Sequence, residues 1–507
     1  MVYCARPSKN CLGCRQRRIK CDLRVPACTQ CKRASMKCAG YRDQLALLFR
    51  DENARTQHRS VTAKDRSRQA ETCWNKIQVD RLSLAATPSK SLDEGGLSFF
   101  LDRFTTAPQW SSIDQSSMSV TVHPFIKSIV AKEQTRDALI SVGLAALSNV
   151  TGDKACLKVA LQKYVNGIKH VREALEEPTK TDLDDTLKLA VILALFELVS
   201  TSPGHLNSWN IHTNGALALF RHLHHGRMPV KPRNMADLQS YTFFILKYFT
   251  SGGDIPSEIL DWSPPNYSSQ ILNTAAALIS ILVRFVRYSA VLQDPTFNMN
   301  TEEAVRAAFL IDTALNDWEA SLFSDDSWSY VTQESSELFG VYQGKCHVYK
   351  NIWASRILNH YRWARIRVNE LLYLYTSKLT NPTASQLVHQ QTALSTISRM
   401  ATDICISVPN HCRLMGFGFG SLASREADVP PLNGVFILVF PLIIAGSAIG
   451  VSDELHEWIV KTLGMIGSTM GIGHAAESIS VVKTIREVKK RQDVVSWNAA
   501  LIFPMHG

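Results

Sequence analysis

The sequence predicts a mostly α-helical protein in three parts: a small cysteine-rich module at the N-terminus, a polar tether, and a large body built of helices alone. Three observations predict it. Six of the twelve cysteines fall between Cys11 and Cys38, inside a dense run of cations. Large apolar side chains are sparse over residues 50–96. From about residue 97 onward, apolar residues recur at three- and four-residue intervals without the alternation of a strand. With 45% hydrophobic and 20% charged residues over 507 positions, the composition is that of folded domains, with room for two or three.

The N-terminal module comes first. The opening "MVYCARPSKN" has no apolar h-region, which argues against secretion, and a reducing compartment argues against a disulfide framework. Cys4 and Cys73 lie outside the pattern and read as ordinary thiols. The spacing is Cys11-x2-Cys14-x6-Cys21-x6-Cys28-x2-Cys31-x6-Cys38, so that "CLGCRQRRIKC" and "CTQCKRASMKC" are one pattern repeated 17 residues apart. A C-x2-C pair can place two thiolates on one metal, and zinc prefers four such ligands in a tetrahedron. One zinc would leave two cysteines idle. Two independent zincs would need eight ligands, and no histidine occurs before His58. The arithmetic closes if two of the six thiolates bridge the metals. So few apolar residues cannot fold such a segment, so metal binding would have to supply the folding energy, on the order of 10 kcal/mol or more per zinc.

Charge points the same way. Residues 1–70 carry 17 Lys/Arg against 5 Asp/Glu, a net +12, while the whole chain carries +10. The remainder therefore sums to −2. Basicity confined to one end is the pattern of a polyanion-binding module on a nearly neutral body.

Spacing, internal repeat and basic run together resemble the binuclear zinc cluster of fungal transcription regulators. The resemblance implies two Zn²⁺ held by Cys11, Cys14, Cys21, Cys28, Cys31 and Cys38, with Cys11 and Cys28 as the bridging ligands. Pro26 in "RVPAC" and Asp22 after the third cysteine match the same pattern. It further implies short helices near 12–18 and 29–35, the first of which enters the DNA major groove over a CGG triplet. Where the family usually has two lysines, this chain has Arg17 and Arg18. Arginine offers a fork to guanine O6 and N7. Arg15 and Lys20 match phosphate-contacting positions, and Lys9 stands where another often does. Lys32, Arg33 and Lys37 are left open between DNA backbone and charge balance for the cluster.

Residues 1–40 are thus expected to form the DNA-binding domain, with 41–96 as a short helix and flexible linker. Leu45, Leu47, Leu48 and Phe49 are followed by no large apolar residue until Val61, so no a/d stripe for a coiled coil is present. A homodimer on paired half-sites is left open.

Residues 97–507 are expected to form the all-α body. In "TDLDDTLKLAVILALFELVS" one face carries Leu183, Leu187, Ala190, Val191, Ala194 and Leu198, and the opposite face Leu189, Ile192, Leu193, Phe196 and Val199. A helix apolar all round belongs at the centre of a core. Thr181 with Asp184 reads as its capping-box-like start. Further helices are expected near 124–149, 154–176, 207–224, 268–292, 302–323, 336–379, 385–407, 431–449, 454–466 and 474–491. The stretches "GYRDQLALLFRDE", "LSFFLDRF", "LFELVS" and "SWNIHTNGALALFRHL" resemble the fungal-specific transcription factor domain of the second type. Its W-x2-H-x2-G-A-x2-L pattern is met by Trp209, His212, Gly215, Ala216 and Leu219, with Asn214 where Arg is frequent.

The remaining motifs take bland readings. The 18 uncharged residues 434–451 are interrupted by Pro441 and three small residues and read as a buried helix, not a membrane span. His222, His224 and His225 read as a solvated helix end, His205 and His212 show no carboxylate at ligand spacing, and Cys405-x6-Cys412 reads as coincidence. No G-x-S-x-G, P-loop, dinucleotide fingerprint or H-E-x-x-H occurs, so no enzyme is expected. The expectation is a nuclear, zinc-dependent, sequence-specific regulator of RNA polymerase II genes for pathway-specific metabolism. Its partners would be double-stranded DNA and the transcription machinery or co-regulators, with no membrane. The alternative is a metabolite sensor whose helical body binds a small ligand and gates DNA binding.

Overall fold

The computed structural model describes residues 10–40, 91–105, 124–176, 180–201, 205–223, 245, 248, 270–293, 300–322, 326–334, 341–412 and 432–490. They fall into two compact units, divided between Ser89 and Lys90. The first holds two short helices, α1 (Leu12–Gln16) and α2 (Thr29–Arg33). The short helix expected just after the cluster lies outside the described residues.

The second unit is a stack of helices. Its first half contains α3 (Leu92–Phe104), α4 (Pro124–Val130), α5 (Glu133–Thr151), α6 (Lys154–Glu176), α7 (Lys180–Val199) and α8 (His205–Leu223). Helix α5 is the hub, touching α3, α4, α6 and α7. Glycine makes the α3–α5 crossing close: a Cβ on Gly143 would stand 2.0 Å from the Gly96 carbonyl oxygen. Helix α7 is buried on both faces, as its pattern predicts, with Leu189, Ile192, Leu193, Phe196 and Val199 in the core and only Val191 of the named positions exposed. It begins at Lys180, so Thr181 lies inside its first turn and not before it.

The second half contains α9 (Gln270–Gln293), α10 (Thr301–Ser321), a hairpin of β1 (Tyr330–Glu334) and β2 (Lys345–Tyr349), α11 (Ile352–Thr376), α12 (Ala384–Ser407) and α13 (Val435–Ser447). Helix α11 is the hub here, touching α9, α10, α12 and α13. Two last helices, α14 (Asp453–Met470) and α15 (Gly473–Lys490), join the halves, since α14 meets α5, α15 meets α7, and both meet α13.

The structure departs from the expected elements in three places. The helix expected over 124–149 is two helices, α4 and α5, separated at Ala131 and Lys132. The helix expected over 336–379 starts only at Ile352. Residues 345–349 instead pair antiparallel with 330–334, in the register Tyr330 opposite Tyr349 and Gln333 opposite Cys346. The Tyr330 ring meets Tyr349 and His347, and Arg362 of α11 lies over both tyrosines, which anchors a strand pair whose outer strand is exposed throughout. Finally, the linker expected to run to residue 96 ends earlier. Ser91 and Glu94 form a capping box that starts α3 at Leu92.

The apolar stretch 434–451 gives α13, a 13-residue helix buried among its neighbours with Pro441 inside it. Helix α9 is the one described helix long and apolar enough to cross a bilayer, and more than half of it is buried within the protein.

Candidate metal centre and nucleic-acid interface

Sulfur makes the core of the N-terminal unit. Cys11, Cys14, Cys21, Cys28 and Cys31 are buried and Cys38 packs against them, while Leu12, Ile19, Leu23, Val25 and Met36 are all exposed. With the aliphatic side chains outside, little hydrophobic burial is available to hold the fold. The Sγ atoms sort into two sets of four: Cys11, Cys14, Cys21 and Cys28, and Cys11, Cys28, Cys31 and Cys38, each set within 4.8 Å of one another. The sets share Cys11 and Cys28. Closest approaches are 3.6 Å for Cys11–Cys28, Cys11–Cys31 and Cys14–Cys28. That is far beyond a disulfide's roughly 2.05 Å. It is close to the edge of a ZnS₄ tetrahedron, about 3.8 Å for Zn–S bonds of about 2.3 Å. The six residues therefore fit two zinc ions with two shared thiolates.

Electrostatics agrees. Burial pushes the Cys14 thiol up to about 11 and the Cys28 thiol up as well, whereas a backbone N–H at Cys28 draws Cys38 down to about 7. Crowded sulfurs resist ionising together, and divalent cations between them offset that repulsion.

The repeat is visible in the backbone. The N–H of Cys14 donates to Cys11 Sγ at 3.4 Å, and that of Cys31 to Cys28 Sγ at 3.4 Å. Ile19 N–H reaches Cys14 O and Met36 N–H reaches Cys31 O, both at 3.0 Å. Arg18 and Ser35, again 17 apart, both take left-handed backbone, with φ of 53° and 51°. The halves differ in the cap of α2. The Asp22 carboxylate accepts from the Thr29 N–H at 3.1 Å and from the Thr29 hydroxyl, which holds its pKa below the usual range. The sequence marks Asp22 but not this job, which the seven-residue separation across the Pro26 loop concealed.

The expected DNA contacts separate. Arg18 and Lys20 are exposed beyond the end of α1. Arg17 is exposed too, but its side chain donates to the Gly13 and Gln30 carbonyls. Arg15 lies in α1, its side chain outside the described residues, and Lys9 lies outside them altogether. Lys32 and Arg33 close α2 and Lys37 follows, all exposed.

In the body, His222 is exposed on α8, and His224 and His225 lie outside the described residues. His212 needs a correction: it does have a carboxylate near it. Tyr164 of α6 donates to Glu197 of α7, and His212 Nε2 lies 2.7 Å from the tyrosine oxygen and 3.8 Å from Glu197. Burial pulls the His212 pKa down. The partners come from neighbouring helices, so no spacing in the sequence announces them.

A cysteine core shaped for two metals and edged with cations defines a class: metal-stapled modules suited to a polyanion. Residues 9–47 match the family model described as the fungal Zn(2)-Cys(6) binuclear cluster domain, and residues 79–363 match the fungal specific transcription factor domain. The second match spans more than half of the 507 residues, and the chain belongs to the fungal zinc cluster transcription factors. Its cofactor is a pair of zinc ions, and both matching family models are those of transcription factors. Over 51 residues it is 47% identical to White-opaque regulator 2 of Candida albicans, a match covering 10% of this chain and 11% of that protein. No solved structure matches the chain.

Proposed function

We propose that the protein is a nuclear, sequence-specific regulator of RNA polymerase II genes that reads CGG-type half-sites through α1. Residues 1–40 bind DNA, and the helical body recruits co-regulators or the transcription machinery. Cys11, Cys14, Cys21, Cys28, Cys31 and Cys38 hold the zinc ions, Cys11 and Cys28 bridging. Arg15, Lys20 and Lys9 contact phosphates, which gives affinity and register, while arginine at the end of α1 supplies the base contact.

One observation carries this reading: two four-sulfur sets share two sulfurs, directly beside an exposed arginine on a left-handed turn. A metal so placed supplies folding energy and neutralises thiolate charge. The residues around it then aim the cations. The test is selection of bound sites from random DNA by the full chain, with and without a strong chelator. Enrichment of a CGG-containing site that vanishes on metal removal is the expected result. Undiminished enrichment after both zincs are gone would overturn the mechanism.

A further inference from the structure

The two halves of the cluster share a backbone, yet only one is expected to read DNA, and the residues 17 apart show where they differ. Arg15 is matched by Lys32 and Lys20 by Lys37, so both halves carry the flanking cations. Arg18 is matched by Ser35 on the same left-handed turn, and Arg17 by Ala34. Among the cations the halves therefore differ in the pair Arg17–Arg18 of the first and in Arg33 of the second, which is matched by Gln16.

The members of that pair behave differently. Arg17 Nε donates to Gly13 O at 3.4 Å and its Nη2 to Gln30 O at 3.2 Å, while its backbone N–H also reaches Gly13 O at 3.2 Å. Gly13 and Gln30 are equivalent positions in the two halves, so this one guanidinium spans the pseudo-symmetric seam. The halves are already close there: a Cβ on Gly13 would meet Cys31 Sγ at 3.4 Å. Arg18, its neighbour, is exposed and makes no hydrogen bond or ion pair among the described residues.

Resting on the DNA-reading role of α1, we infer that Arg17 is a positioning residue, a strut from α1 to α2 that fixes the direction in which Arg18 leaves the cluster, and that Arg18 alone reads guanine. The physical need is plain. A five-residue helix ending in a left-handed turn has little to hold its last side chains, and a base contact must be aimed within about 10–20°. A guanidinium can satisfy two carbonyls at once. An ammonium can donate to both, but from a single nitrogen on a flexible stem it braces them less rigidly.

The experiment measures the full chain on its selected site and on a panel of single-base variants, for Arg18→Ala, Arg17→Ala, Arg17→Lys and the Arg17→Ala/Arg18→Ala double variant. Zinc per chain is determined for each. Arg18→Ala is expected to reduce discrimination at one guanine by about 5- to 150-fold. Arg17→Ala is expected to lose discrimination at that same base pair, the double variant losing no more than Arg18→Ala does, because the two act through one contact. Arg17→Lys, which keeps the charge, matches the lysine the family usually has there and is the safer variant should Arg17→Ala shed zinc, is expected to show a smaller loss at that same base pair. Loss at a different base pair, adding to that of Arg18→Ala, would make Arg17 a second reader and sink the inference. So would a uniform loss with a salt slope shallower by about one, the mark of a phosphate contact. A uniform loss with unchanged slope and intact discrimination would reduce Arg17 to a stabilising residue and end the inference equally. Wild-type protein with no base preference would instead overturn the DNA reading itself.

Discussion

Cys11 and Cys28 differ from the other four cysteines in belonging to both sulfur sets, and that difference has a measurable consequence. Replacing Cys28 by Ala removes a ligand from each metal site at once, whereas replacing Cys38 by Ala removes one ligand from one site. Zinc determined per folded chain should fall from two to near zero for Cys28→Ala, and to no lower than about one for Cys38→Ala, given roughly 10 kcal/mol or more of folding energy per structural zinc. Equal losses from the two variants would mean that the sulfurs are not shared. That two thiolates must be shared was legible in the sequence, because six cysteines have eight coordination slots to fill; that the two are Cys11 and Cys28 came from the family resemblance alone. The strut at Arg17 was not legible. Its partners are main-chain carbonyls, which carry no residue identity, and one of them belongs to the opposite half.

At the scale of elements, helices were legible where the apolar period had one consistent partner face, as in α6 and α12, or ran all round, as in α7. Helix α11 shows the opposite. Its "NHYRWARIRVNE" is rich in polar and charged residues, yet Asn359, His360, Arg362, Arg365, Arg367 and Glu370 are all buried. Their partners lie far along the chain. Arg365 meets Asp312 at 2.6 Å, and fully buried Glu370 accepts from Arg367 and from Lys489 of α15, each at 2.6 Å, and from the Ile449 N–H at 3.0 Å. No local pattern encodes a pair 119 residues apart. The hairpin was hidden for a related reason: β1 is exposed along its length and is held by rings and a guanidinium from elsewhere. Burial alone would raise the Glu370 pKa, but Lys489 and Arg367 outweigh it and hold the carboxyl below its ordinary 4.5. A carboxylate lowered on folding stabilises fully above its unfolded pKa and loses that contribution as pH falls through the folded one. Glu370→Ala should therefore cost roughly 3–5 kcal/mol near neutral pH, by leaving two buried cations uncompensated. The gap between wild-type and variant melting temperatures should narrow below about pH 4.5. A gap constant from pH 7 down to pH 3 would show that the ion cluster does not carry the stability assigned to it.

Across the whole molecule, function is divided by charge. Residues 1–70 hold a net +12 and the rest sums to −2, so the net positive charge that would draw the protein to a polyanion lies in the N-terminal segment. Among the described residues of the body, a cleft of about 220 Å³ between α5 and α6 is lined by Glu133, Asp137, Lys163 and His170, and Lys163 is already paired with Asp93 and Asp137. Metabolite pockets usually run from about 300 to 1,000 Å³ and are mainly apolar. The division of charge sets a limit on salt dependence. Each phosphate neutralised contributes about −0.9 to the slope of log K against log salt on duplex DNA. With about five cations engaged, one cluster on one half-site should give a slope of roughly −4 to −5, and two clusters on paired half-sites roughly twice that. Titrating the full chain on its selected site between about 50 and 200 mM salt separates these cases, and adding a chelator should collapse the slope together with the specificity. A slope far steeper than two clusters can supply would mean that the nearly neutral body also grips the backbone, against the partition of charge along the chain.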